Sequence, residues 1–135
     1  MTLPLIQAAL EQRLATLTPA LATAYENASF TPVTGVAYQR ITMLVNRPVD
    51  HAVTMDVTEE RGIFQVSLFY PQGAGRGAAQ ARAELIKALF KPPLTLTNGA
   101  VKVEINKTVH VGGGMPDGDR WMVPVSIYWQ SFQTT

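Results

Sequence analysis

The run from Gly62 to Phe90 constrains the fold more than any other part of the chain. In its first half Phe64, Val66, Leu68 and Tyr70 alternate with Gln65 and Ser67, the period of two expected of a strand with one buried face. In its second half Ala78, Ala81, Leu85 and Leu89 recur at helical spacing, while Arg76, Gln80, Glu84 and Lys87 fall mostly around the other side. Pro71 ends the strand, Gly73, Gly75 and Gly77 let the backbone reverse, and Pro92-Pro93 stops the helix. A strand leading at once into a helix with an alanine-lined face places that helix close against the sheet. Phe64, Val66, Leu68, Leu85, Leu89, Val123, Val125 and Ile127 are expected in the resulting core.

Other elements follow in order. Leu3, Ile6, Leu10, Leu14 and Leu17 mark one face of an N-terminal helix, with Thr2 placed to cap it and Pro4 in its first turn. Leu21 to Asn27 predicts a short strand presenting Leu21, Thr23 and Tyr25. Val36 to Asn46 predicts a longer one, with Ala37, Ile41, Met43 and Val45 opposite Tyr38, Arg40 and Thr42. Asn46 to Arg61 reads as a long, mobile excursion containing a short edge strand at Val53, Met55 and Val57. Two strands close the chain. Val101, Val103, Ile105, Val109 and Val111 share one face of the first, and Trp121, Val123, Val125, Ile127 and Trp129 one face of the second. Gly112 to Asp119 joins them as a flexible tip, and Pro124 requires an edge or a bulge. The order predicts a single α+β domain over residues 1–135, a mainly antiparallel twisted sheet with two helices packed on one face.

Composition narrows the function. Apolar residues make up 47% of the chain and charged residues 16%, with a net charge of +1. A folded domain without a strong field for nucleic acid or anionic membranes is expected. The lack of cysteine removes disulfides and thiolate chemistry and fits a reducing compartment. Gln7, Glu11 and Arg13 interrupt the apolar N-terminal residues, so neither a signal peptide nor a membrane span is expected.

Motifs for chemistry are weak. Gly73-Ala74-Gly75-Arg76-Gly77-Ala78 fits G-x-G-x-x-G/A spacing, but the strand before it alternates where a dinucleotide fold needs a buried parallel strand. Asp50, His51 and Asp56, with His110 elsewhere, lack the spacing that converges on one metal ion. No serine sits in a G-x-S-x-G elbow. Glu59-Glu60-Arg61 reads as a solvated run, and Trp121, Tyr128, Trp129 and Phe132 as packing residues, because basic residues are not interleaved with them. No catalytic residue, cofactor or metal is expected.

Glu26-Asn27 with Phe30-x-Pro32, the strand around Tyr38, the run Gly62 to Pro71 with Gly73 and Gly75, the alanine-rich helix ending in Phe90, and Arg120-Trp121-x-Val123-Pro124-Val125-Ser126-Ile127 together resemble the tail terminator-like proteins of tailed bacteriophages and prophages. The resemblance spans nearly the whole chain. It implies an α+β subunit of the virion that assembles with itself, as a six-membered ring, on the head-proximal end of the tail tube. There it stops tube polymerisation and meets head-completion proteins. A head-completion or neck connector protein is the alternative in the same class, and a small nucleotide-binding domain the alternative outside it. A closed ring needs two different surfaces on each subunit. Arg47, His51, Glu59, Glu60 and Arg61 on one loop, and Gly113, Met115, Asp117 and Asp119 on the other, are the candidate interface residues.

Overall fold

The computed structural model describes residues 2–50, 57–73 and 75–134. Its elements are α1 (Thr2–Ala15), β1 (Ala22–Ala24), β2 (Tyr38–Val45), β3 (Val49–Asp50), β4 (Val57–Pro71), α2 (Gly77–Leu89), β5 (Leu94–Asn98), β6 (Val101–Ile105), β7 (His110–Val111), β8 (Met115–Asp117) and β9 (Arg120–Thr134). The predicted α+β architecture is present: a nine-stranded, mainly antiparallel sheet with both helices packed on the same core. The strand order is β1-β2-β4-β9-β6-β5, with β3 on β4 and β7 and β8 on β9. No helix among the described residues is long and apolar enough to cross a membrane.

The axis of the sheet is the β4–β9 ribbon, paired without interruption from Val57↔Thr134 to Pro71↔Arg120. At the usual strand rise this ribbon is about 45 Å long. Its inward side chains, Phe64, Val66, Leu68, Val123, Val125 and Ile127, are buried against the helices as the alternation predicts. On the other flank of β9, β6, β7 and β8 pair in succession. The register slips by one residue between Val111↔Val125 and Met115↔Met122, which is a bulge. Gly112 N donates to the Pro124 carbonyl on that side at 2.8 Å. In an antiparallel strand a residue's N–H and C=O point the same way, so the N–H that Pro124 lacks falls at the bulge and the ladder with β4 stays whole.

Helix α1 follows the predicted stripe, with Ile6, Leu10 and Leu14 buried and Leu3 and Leu17 packed against them. It packs against β5, β6 and α2. Asn98 Nδ2 at the β5 edge donates to the Leu5 carbonyl, and Gln7 Nε2 donates to Glu26 beyond β1.

Five expectations are corrected. Helix α2 buries Ala79, Arg82, Ala83 and Ile86, while Leu85 is 44% exposed and Leu89 only partly buried. The two stripes differ by about one residue's rotation, and the one chosen by the fold contains a buried arginine. Strand β1 is shorter than predicted and pairs parallel to β2, with Ala24 buried and Tyr25 exposed. Strand β5 was not expected. It joins β6 through Gly99-Ala100, where Gly99 has φ 63°, the positive value a two-residue hairpin needs at its first central position. Residues 57–61 are not loop but the start of β4, opposite β9, with Val49 and Asp50 of β3 beside them; Val53 and Met55 lie outside the described residues. Finally, Gly112 to Asp119 is held against β9 and is not a free tip. Met115–Asp117 pairs with β9, Gly118 turns with φ 61°, and Gln72 N donates to Asp119 O at 3.1 Å.

Candidate functional site

The interface candidates separate into two clusters at opposite ends of the β4–β9 ribbon. Glu59, Glu60 and Arg61 lie opposite Phe132, Ser131 and Gln130, whereas Asp117 and Asp119 adjoin Arg120, which pairs with Pro71. Strand rise puts about 35 Å between the clusters, so one subunit cannot bring them together. Arg47 and Arg61 are exposed, Glu60 is half-buried and Glu59 buried; His51 lies outside the described residues. At the other end Gly113, Met115, Asp117 and Asp119 are all exposed.

The sheet face turned away from the helices divides into a covered and an open half. Over one half lies the segment after β1. Phe30 packs on Tyr38 with 5.1 Å between ring centroids, Tyr38 stacks on Phe69 at 4.7 Å, and the buried Arg120 guanidinium lies over Tyr38 and donates to the Val33 and Val36 carbonyls. The open half carries a row that the sequence reading missed. Leu44, Ile63 and Tyr128 are direct neighbours across β2, β4 and β9. Leu44 is 45% exposed, and Lys107 Nζ stands 5.8 Å from the Tyr128 ring centroid. A recess of about 100 Å³ opens beside Tyr128, bordered by Arg61, Glu104 and Lys107. Ile63 could have been placed there from the alternation that puts Phe64 in the core; its neighbours across the sheet could not.

A second cavity of about 180 Å³ lies between α1, α2 and β1, lined by Glu11, Thr23, Gln39 and Arg82. Arg82 donates to the Pro19 carbonyl while its Nε has no partner. Burial lowers the Arg82 guanidinium from its ordinary value and raises the Tyr70 phenol, each partly offset by the other. Buried arginines on an alanine-rich helix face have no signature in sequence; the only hint is their position in a helical stripe.

The glycine loop does not have the frame a dinucleotide needs. Strand β4, which precedes it, is antiparallel to both its neighbours, and Arg76 makes no side-chain cap to α2. Ala74 lies outside the described residues. Among the described residues no group of three or more histidine or acidic side chains could hold a metal ion.

Comparison with known proteins gives a class. Residues 5–129 match the family described as phage tail terminator protein. One solved structure is similar over 97% of this chain and 96% of its own, with TM-score 0.80 and 30% sequence identity. No curated protein matches. The chain belongs to the phage tail terminator protein family. It is therefore a structural component of a phage tail, in agreement with the resemblance carried by its residues.

Proposed function

We propose that this protein assembles as a ring, of six copies by family resemblance, on the head-proximal end of the phage tail tube. The ring ends tube polymerisation and presents the surface to which the head-completion proteins attach. The observation that carries the reading is the family match over residues 5–129. A ring needs two unlike surfaces per subunit, because a head-to-tail contact closes only when each copy gives one patch and receives another. The two ends of the β4–β9 ribbon supply unlike chemistry in unlike places: mixed charge with exposed apolar residues at one, an acidic hairpin at the other. The role is structural, with no substrate turned over and no cofactor used.

The test is addition of the purified protein to tail tube protein during polymerisation in vitro. Growth should stop at a protein-to-tube-end ratio of one ring per tube, with the protein at one end only. Tubes that continue to grow at any ratio contradict the reading.

A further inference from the structure

We propose that the β8–β9 hairpin tip of one subunit docks on the open Leu44–Ile63–Tyr128 row of the next copy, making the ring's repeated contact. This rests on the ring reading above and names the surfaces it uses.

The row is a partly exposed apolar strip three strands wide, with Leu44 exposed and Ile63 and Tyr128 half-buried, flanked along β4 by Arg61 and beyond β9 by Lys107. Around it the exposed charges Arg61, Lys102 and Lys107 are cations, while Glu104 is half-buried and Glu59 buried. The tip has the complementary chemistry. Met115 is 46% exposed, Pro116 is exposed beside it, and the exposed charged side chains Asp117 and Asp119 are both acidic. Methionine is unbranched and flexible, suited to an irregular recess, and the recess beside Tyr128 is about 100 Å³. Asp117 and Asp119 then meet Arg61 and Lys107, a charge match that fixes register and excludes the like-charged docking of two tips.

Geometry makes the contact intermolecular. Tip and row lie toward opposite ends of the ribbon, about 25 Å apart along it, and the tip is fixed in place by its pairing with β9 and by Gln72. The contact is heterologous, as a ring requires. Register is specified at both partners by glycine. Gly118 supplies the positive φ of the tip, and Gly62 lets Trp129 pack under the row, where a Cβ would come within 2.9 Å of the indole.

The absence of native cysteine makes disulfide trapping clean. Tails are assembled in the host from protein carrying Lys107→Cys with Asp117→Cys, oxidised, and run on a denaturing gel without reductant. The expected result is a ladder of multimers, with monomer from either single variant. Monomer from the double variant, in tails where an amine-reactive cross-linker still gives multimers, overturns the docking while leaving the ring intact. If the amine-reactive reagent also gives only monomer, the ring reading fails and the docking falls with it. Charge exchange supplies an independent readout. Asp117→Lys with Asp119→Lys should abolish termination, and adding Arg61→Glu with Lys107→Glu should restore normal tail length. Normal tails from the lysine pair alone overturn the docking.

Discussion

The Arg120 guanidinium lies 4.8 Å from the centre of the Tyr38 ring, and with its two donors to Val33 and Val36 it fastens an irregular segment across half of the outer sheet face. Aromatic contact and charge-assisted hydrogen bonds act on one side chain that is 6% exposed, so its loss takes the side-chain donor from the Val36 carbonyl and the cation from the Tyr38 ring, while the Val33 carbonyl keeps the Val36 N–H and Tyr38 keeps Phe30 and Phe69. Arg120→Met is expected to destabilise the protein by about 2–3 kcal/mol and to speed amide exchange from residue 33 to residue 36. Denaturant titration with hydrogen-exchange measurement checks both; unchanged exchange there would show that the segment is held by something else.

The glycines of the ribbon separate close packing from mere turning. A Cβ on Gly62 would come within 2.3 Å of the Leu44 carbonyl oxygen, and one on Gly114 within 2.3 Å of the Trp121 ring, whereas one on Gly113 meets nothing within 4 Å. Gly62→Ala and Gly114→Ala should each cost about 1–3 kcal/mol through forced displacement of backbone or indole. Gly113→Ala should be neutral. Thermal melting of the three variants decides it, and an equal effect at all three would contradict the packing described.

Removing the whole 112–119 segment is a different experiment from altering its surface. Because Gly114 covers Trp121 and β8 pairs with β9, shortening it should lower the melting temperature as well as affect assembly. The surface variants at Asp117 and Asp119 should leave melting unchanged. A shortened protein as stable as the wild type would mean that the pairing of β8 contributes little.

Two adjacent leucine-like positions on α2 test which stripe is buried. Ile86 is 0% exposed and Leu85 44%, so Ile86→Ala should cost about 2–5 kcal/mol and Leu85→Ala about 0.5 kcal/mol or less. Chemical denaturation of both variants gives the answer, and a reversed order would restore the face inferred from the sequence.

Much of the fold was legible because its signals are local. The alternation from Phe64 to Tyr70 and from Trp121 to Trp129, the leucine stripe of α1 and the demand of Pro124 for an edge or a bulge each follow from a few neighbouring residues. The misses came where tertiary contacts outweigh local ones. On α2 the apolar leucines pointed one way, but the sheet accepts the stripe with Arg82, whose donor reaches the Pro19 carbonyl. Glu59-Glu60-Arg61 read as loop because charge is rare in strands, yet all three pair with β9, and only Arg61 is exposed while Glu60 is half-buried and Glu59 buried. Strand β5 did carry a signal, Leu94 and Leu96 alternating before Asn98-Gly99, but it follows two prolines and is only five residues long. Of the interface candidates, their position at two ribbon ends was not readable, since strand neighbours such as Leu44, Ile63 and Tyr128 are separated widely in sequence and meet only through register.

The central claim is that this protein stops the tail tube from growing, and the most direct measurement is the tail-length distribution by negative-stain microscopy when its gene is deleted from the phage or prophage. The account predicts overlong tubes or headless tails of irregular length, restored to uniform length by supplying the protein. Tails of normal, uniform length would contradict it: with unattached heads they would make this a neck protein acting after termination, and with complete virions they would remove it from tail assembly altogether.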